Sequence, residues 1–149
     1  MASRHHGNKL CIVLLVGLLS ACALPTRVEA PIAPATASAS LAGTEWVVFA
    51  IDGVPEVTLP KPRLRWASAD QVTGTGGCNA FRGTALVGAG TLRLGPLAST
   101  GRACLSMPGS QEDLFFKALE LTRKARLERD QLALMDESGK VVARFLKTN

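Results

Sequence analysis

Hydrophobic and polar residues alternate in short runs over most of the chain beyond Leu41, with turn-forming residues between the runs. Residues 46–51 are apolar throughout, which predicts a strand buried on both faces. Residues 63–66 read Arg-Leu-Arg-Trp, which predicts a strand with one buried face and one basic, solvated face. Further strands are predicted at residues 72–75, 84–87, 91–94, 126–129, 132–135 and 141–146. The strands at 84–87 and 91–94 are joined by a glycine-containing hairpin connection at 88–90.

One segment has the period of a helix. Ser110 precedes Gln111, Glu112 and Asp113, a pattern typical of an N-cap followed by acids that favour the helix dipole. Apolar residues then recur at helical spacing, so the sequence predicts a helix over 111–122. Five aromatic residues are expected in the core: Trp46, Phe49, Trp66, Phe115 and Phe145. The predicted fold class is therefore α+β, a strongly curved antiparallel sheet of about seven or eight short strands with one packed helix.

The N-terminal residues follow neither pattern. Arg4 and Lys9 precede an apolar run over residues 10–19. This run is about half the length that a membrane-spanning helix needs. A basic start with a short apolar run is typical of a secretory signal peptide. The run ends in Leu-Ser-Ala-Cys at residues 19–22, which resembles the lipobox of bacterial lipoproteins residue for residue.

The lipobox resemblance implies cleavage between Ala21 and Cys22 and a diacylglycerol on the Cys22 thiol. Ala23 follows in place of the Asp that typically retains lipoproteins in the inner membrane, which implies a periplasm-facing outer-membrane anchor. The alternative is an ordinary secreted protein cut near Ala30. Residues 23–40 are rich in Ala, Pro, Ser and Thr and are predicted to form an extended tether. The predicted organisation is a signal peptide 1–21, a lipidated and tethered segment 22–40, and one folded domain 41–149.

Composition limits the chemistry. The chain has two histidines, and both of them, His5 and His6, lie in the predicted signal peptide. The mature chain would then have no imidazole for a catalytic triad, a Cys–His pair or a His-rich metal site. The acidic pairs at 112–113 and 136–137 are explained by a helix start and a turn. We therefore expect a monomer that is not an enzyme and holds no cofactor and no metal.

Two of the four cysteines remain for the folded domain. Cys11 lies in the signal peptide and Cys22 is assigned to lipid, which leaves Cys78 and Cys104. In an oxidising compartment such a pair is expected to form a disulfide. A two-cysteine metal site or a reactive thiol would be the alternative, although no His or CxxC spacing supports either of them.

The glycine-rich segment 74–79 invites comparison with phosphate-binding loops. It has the spacing of neither GxGxxG nor the Walker loop, and no helical pattern follows it. The structural interpretation is a loop in which Gly77 permits a tight backbone turn and Asn79 braces it through its side-chain amide.

Five basic residues are candidates for an anionic partner, namely Arg63, Arg65, Arg123, Lys124 and Arg126. If the two groups converge in space, they form a patch for lipid phosphates or an acidic protein. The alternative is an ordinary solvated surface, because Glu120 and Glu128 interleave with the second group. Nucleic acid is not expected, because the protein is exported and has few aromatic residues to stack on bases.

An ordered set of short motifs spans the predicted domain. Its parts are Leu41-x-Gly43-Thr44-x-Trp46, Val72-x-Gly74, Gly77-Cys78-Asn79-x-Phe81-x-Gly83, Thr100-x-x-Ala103-Cys104, Glu112-x-x-Phe115-x-x-x-Leu119, Leu132-x-Leu134 and Gly139. In this order the chain resembles the META domain family, which includes the heat-shock-linked HslJ envelope lipoproteins. The resemblance implies a compact α+β fold and a role in envelope stress, antibiotic tolerance or motility, with no established catalysis or cofactor. Two functions are expected for the domain: binding of an anionic envelope component through the basic residues, or docking of a periplasmic protein, as an adaptor or hydrolase inhibitor, at a sheet edge or the disulfide-braced loop.

Overall fold

The computed structural model describes residues 41–88, 90–101 and 109–148. The predicted signal peptide, Cys22, the tether and Cys104 lie outside these residues. The described elements are β1 Glu45–Ile51, β2 Arg63–Trp66, β3 Gln71–Thr75, β4 Ala80–Val87, β5 Leu92–Ser99, α1 Gln111–Leu121, β6 Lys124–Glu128, β7 Gln131–Met135 and β8 Val141–Thr148. The predicted fold class is confirmed, since this is an α+β arrangement of an eight-stranded sheet with a helix packed on it.

The eight strands form one antiparallel sheet in the order β5-β4-β3-β2-β1-β8-β7-β6. The sheet curls like half a barrel, so that its two outermost strands approach each other at one end. The backbone N–H of Leu92, at the start of β5, donates a hydrogen bond to the carbonyl of Arg123, just before β6, at 2.7 Å. The curl gives the sheet an inner face that packs on α1 and an outer face that turns away from it.

Alternation along β2 illustrates how the sequence divides between the two faces. Leu64 and Trp66 are fully buried on the inner face, whereas Arg63 and Arg65 are exposed on the outer face. Successive side chains of a strand point to opposite sides of the sheet, so the Arg-Leu-Arg-Trp pattern determines which side chains of β2 lie on each face. The predicted strand with one basic face is confirmed.

The core lies between the inner face and α1. Phe115 of the helix is fully buried, and its ring centroid lies 6.0 Å from that of Phe81 and 6.3 Å from that of Phe145. Edge-on contacts of this kind add to the gain from burying apolar area. Trp46 and Trp66 are also buried, so the core prediction is confirmed for four of the five aromatic residues.

The prediction is wrong for Phe49, whose side chain is 37% exposed. The pairing of β1 with β8 shifts register between Val48 and Ala50, which leaves Phe49 without a cross-strand partner. A bulge of this kind re-aims the side chain that it contains. Residues 46–51 are therefore not buried on both faces, because the helix covers only one side of the sheet.

Helix α1 begins as predicted and ends one residue before the predicted boundary. The hydroxyl of Ser110 accepts a hydrogen bond from the backbone N–H of Asp113 at 3.3 Å, which is the N-cap interaction. At the other end, Arg123 Nη1 donates to the carbonyls of Glu120 and Thr122 at 2.7 and 2.8 Å. Both helix ends are thus satisfied by side chains that are close in sequence.

Candidate functional site

The glycine-rich segment 74–79 comprises the end of β3 and the loop that leads to β4. Its turn is closed by a hydrogen bond from the Gly76 N–H to the Asn79 carbonyl at 2.8 Å. Gly77 has a φ of 120°, and a Cβ at this position would lie 2.8 Å from the Pro60 carbonyl oxygen. Only glycine adopts this backbone conformation without strain. The loop therefore turns sharply next to Pro60, which lies in the segment that connects β1 to β2.

The side chain of Glu112 reaches this loop from the first turn of α1. Its Oε1 accepts hydrogen bonds from the backbone N–H groups of Cys78 and Asn79, at 3.1 and 2.6 Å. Its Oε2 accepts one from the Asn79 side-chain amide at 3.0 Å. Glu112 is only 8% exposed, and a buried carboxylate needs such donors to offset its lost hydration. Sequence reasoning explained Glu112 only as a helix-start acid, because nothing local indicates a partner 33 residues away.

The approach of this carboxylate requires a glycine in the loop. A Cβ built on Gly76 would lie 2.6 Å from Glu112 Oε1 and 2.7 Å from its Cγ. No real Cβ sits so close to another heavy atom, so any larger residue would displace the carboxylate. The position of the Glu112 carboxylate therefore depends on glycine at residue 76.

A threonine extends the network to the end of β5. The Thr100 hydroxyl donates to Asn79 Oδ1 at 3.1 Å and accepts from the Ala80 N–H at 3.2 Å. Asn79 thus uses its side-chain amide on one side and its side-chain carbonyl on the other, which joins α1 to β5 through the loop. Cys78 is disulfide-bonded. Its predicted partner, Cys104, lies outside the described residues, so the pairing stays a prediction.

This network connects α1, the loop before β4 and the end of β5 through hydrogen bonds within the chain. Over residues 41–88, 90–101 and 109–148, no group of three or more His, Cys, Asp or Glu side chains is placed to hold a metal ion. Over the same ranges, no helix is long and apolar enough to cross a bilayer.

The five predicted basic residues fall into two separate groups. Arg63 and Arg65 lie on β2, whereas Lys124 and Arg126 lie on β6 and Arg123 just before it. Three strands, β1, β8 and β7, lie between β2 and β6. Since neighbouring strands are about 4.8 Å apart, the two groups are separated by roughly 19 Å along the curled sheet. They do not converge into one patch.

Four of these five residues already bind groups of the protein itself. Arg63 pairs with Glu45 at 3.1 Å and Arg126 pairs with Glu128 at 2.8 Å. The Arg123 guanidinium binds the helix-end carbonyls, and Lys124 Nζ donates to the Glu137 carbonyl at 3.3 Å. Arg65 is the exception, since it forms no ion pair or side-chain hydrogen bond with any residue that the structure describes.

Three further arginines share the outer face and the unpaired state of Arg65. They lie on β4, β5 and β8, and each directly follows a buried residue in its strand. None of them forms an ion pair or side-chain hydrogen bond within the described chain. We call the four residues the outer-face arginines: Arg65, Arg82, Arg93 and Arg144. The last three were not predicted, because each is the one arginine of its strand, although alternation with buried residues places them on the solvated face.

Register brings two of these arginines into one row. Arg65 of β2 pairs with Thr73 of β3, and Thr73 pairs with Arg82 of β4. Directly paired residues of an antiparallel sheet lie on the same face, so the threonine stands between the two arginines. A recess of about 300 Å³ adjoins Arg82 on the side of β5 and is lined by Ala80, Phe81, Arg82, Ala98, Ser99 and Thr100.

The fold and the motifs agree with one known family. The family model described as "META domain" matches residues 39–149. The chain belongs to the META domain family. The match thus covers the whole described structure, from Leu41 to Thr148 at the end of β8.

Two solved structures resemble this META domain chain. An NMR structure of a protein from Burkholderia xenovorans is 21% identical, with a TM-score of 0.60 over 98% of this chain and 99% of that one. A second NMR structure is 20% identical, with a TM-score of 0.57 over 73% of this chain and 92% of that one. No curated protein matches the chain significantly. At this level of identity the likeness establishes the fold, and function has to be argued from the surface.

Proposed function

We propose that this protein is a non-enzymatic, lipid-anchored META-domain protein of the cell envelope that binds an anionic envelope component. The anchor is the lipid on Cys22, and the anchored domain faces the periplasm from the outer membrane. The signal-peptide pattern and the Leu-Ser-Ala-Cys motif at residues 19–22 support the anchor. Through such binding the protein contributes to envelope integrity, stress tolerance or antibiotic tolerance.

The outer-face arginines are the observation that supports binding of an anion. All four lie on one face of the sheet, and none is neutralised by an acid of the described chain. Arginine is always charged and matches the geometry of phosphate and carboxylate groups with its planar fork of donors. A face of this kind attracts anionic partners and raises their rate of encounter.

The test uses the mature lipoprotein held by its own lipid in nanodiscs of phosphatidylcholine. Vesicles of phosphatidylglycerol and of phosphatidylcholine are offered at low salt, and the captured fraction is measured. We expect capture of the anionic vesicles only, falling away by about 0.5 M salt as the charges are screened. Equal capture of both kinds of vesicle would contradict the proposal.

Charge-reversal variants identify the surface that is responsible. Replacing all four outer-face arginines by Glu should abolish capture, and replacing them by Gln should reduce it. The control is Lys117→Glu, which reverses one exposed charge on α1 and should leave capture within the error of measurement. Circular dichroism checks that each variant is folded. If the folded variant with four Glu replacements still captured anionic vesicles to the same extent, the proposal would be contradicted.

A second function, docking of a periplasmic protein as an adaptor or hydrolase inhibitor, is favoured by the sheet edges. Strands β5 and β6 end the described sheet, and each has a strand partner on one side only. Such edges can accept an extended segment of a partner. A pull-down with the full chain distinguishes the two functions, since a stoichiometric protein partner retained at high salt would favour docking.

A further inference from the structure

In the row Arg65–Thr73–Arg82, two unpaired arginines lie on either side of a threonine. Arg144 faces Arg126 in the same way across Ala133, but Arg126 is paired with Glu128 and alanine offers no hydroxyl. Arg65 and Arg82 lie on alternate strands of one face, so their Cα atoms are about 10 Å apart. Long side chains at that distance can lean together over the residue between them. That residue is Thr73, whose hydroxyl makes no hydrogen bond to another described residue and is available as a donor.

We propose that this row binds a phosphate group, with one guanidinium on each side and the Thr73 hydroxyl beneath. The inference rests on the proposed function, because it names the group of the anionic component that the outer face recognises. The phosphate belongs either to a lipid head group at a membrane surface or to a small soluble phosphate compound. Both sources present the same chemistry to the row.

The charges around the row favour an anion with more than one negative charge. The positions of β3 and β4 nearest to it are uncharged, namely Gln71, Thr75, Ala80 and Thr84. The acid next to Arg65 in the sheet is Glu45, and its carboxylate is bound to Arg63 at 3.1 Å. The row therefore carries about two uncompensated positive charges, which a phosphate dianion would neutralise.

The shape of the two side chains favours phosphate over a single carboxylate. A guanidinium binds two oxygens of one group in a bidentate manner, so one arginine suffices for a carboxylate. A phosphate presents three or more oxygens in a tetrahedral arrangement, so that it can accept from two guanidinium forks and a hydroxyl simultaneously. The row supplies these three donor groups from three adjacent strands, and the hydrogen bonds of the sheet hold those strands in place.

The test titrates inorganic phosphate into the mature lipoprotein in phosphatidylcholine nanodiscs at constant ionic strength. The NMR signals of the arginine side-chain N–H groups report on each guanidinium. We expect saturable shifts for Arg65 and Arg82, and none for Arg93, which is an exposed outer-face arginine on β5 opposite Leu86. Shifts at all the outer-face arginines, or at none, would overturn the row as a site.

A double-mutant cycle tests whether one anion binds both arginines. Arg65→Gln and Arg82→Gln should each weaken phosphate binding by about tenfold, the effect of losing one charged hydrogen-bonding group. The double variant should be weaker by less than the product of the two effects, because the first substitution already breaks the shared site. The control Lys117→Gln, at an exposed position of α1, should bind as the unaltered protein does. Strictly multiplicative effects would show two independent cations and contradict the inference.

The vesicle measurement separates this inference from the proposed function. Capture of anionic vesicles with no phosphate shift at Arg65 and Arg82 would leave the proposed function standing and refute the row. Saturable phosphate shifts without vesicle capture would support the row, assign it to a soluble phosphate compound, and refute binding at a membrane surface. Vesicles containing phosphatidic acid should be captured less well by Arg82→Gln than by Lys117→Gln if the source is a lipid.

Discussion

The carboxylate of Glu112 accepts two hydrogen bonds from Asn79, one from its backbone N–H at 2.6 Å and one from its side-chain amide at 3.0 Å. The two residues are 33 positions apart and both are buried. The pair attaches the first turn of the helix to the loop that begins β4. Charge-assisted hydrogen bonds of this kind are about twice as strong as neutral ones, so the helix position depends on them.

Glu112→Ala should lower the free energy of unfolding by about 2–4 kcal/mol, because it leaves buried donors of the loop without an acceptor. Urea denaturation followed by circular dichroism measures this change. The control is Glu120→Ala on the same helix, whose exposed side chain has no partner in the described residues and whose loss should change stability by less than about 0.5 kcal/mol. Equal midpoints for the two variants would contradict a bracing role for Glu112.

Gly76→Ala should destabilise the protein because its Cβ would lie 2.6 Å from the Glu112 carboxylate. We expect a loss of about 1–3 kcal/mol, the range for forcing extra atoms into a packed site. In the Glu112→Ala background the same substitution should cost much less, since the obstructing carboxylate is gone. Gly101→Ala, where a Cβ would meet nothing within 4 Å, is the control. Additive effects of the two substitutions would show that Gly76 matters for another reason.

The Cys78–Cys104 pair should resist alkylation in the oxidised, unfolded protein and react with two equivalents of reagent after reduction. Mass spectrometry of the mature protein measures the number of added groups. Replacing both cysteines by Ser should lower the free energy of unfolding by about 3 kcal/mol in the chain-entropy description of disulfides. Free thiols before reduction, or a pairing with another residue, would overturn this prediction.

Cys22→Ser should abolish labelling of the protein by radioactive palmitate and leave the precursor uncut, because the thiol is the predicted site of the lipid. Cells expressing the altered and unaltered chains are labelled and compared by gel electrophoresis. Cys11→Ser is the control, since Cys11 lies within the predicted signal peptide and should not affect labelling. Normal palmitate incorporation in Cys22→Ser would refute lipidation at that residue.

In the turn between β7 and β8, the pKa of the Asp136 carboxyl group should depend on the hydroxyl of Ser138. The Ser138 hydroxyl donates to Asp136 Oδ1 at 2.7 Å, and this bond is the main reason that the pKa of Asp136 lies below its usual value of 3.8. Ser138→Ala should therefore raise the pKa of Asp136, as measured by NMR titration, whereas Ser99→Ala at a distant exposed site should not.

The sign of the accompanying stability effect follows from the direction of that shift. A carboxyl group with a lowered pKa in the folded protein stabilises the fold above its unfolded pKa, and the contribution is lost as pH falls through the folded value. Ser138→Ala should reduce the difference in stability between neutral and strongly acidic pH. An unchanged pKa in the variant would contradict the assigned cause.

Features that depend on neighbours in sequence were predictable from the chain alone. Ser110 caps α1 by binding Asp113 three residues later, and the alternation at 63–66 settles which side chains of β2 are solvated. The strands β4 and β5 are longer than predicted, since Gly83 and Pro96 are poor strand formers that the neighbouring ladder nevertheless aligns. Local periodicity thus indicates where an element lies better than where it ends.

By itself the sequence determined the α+β class, the helix with its cap and the basic face of β2, because these follow from periodicity and from contacts within one turn or strand. Only the tertiary structure decided that Glu112 binds Asn79, that Phe49 faces outward and that Arg65 and Arg82 stand on either side of Thr73. Each of these relationships depends on strand register or on the packing of the helix. Register and packing are set by the free energy of the whole fold, and no short segment of the chain contains them.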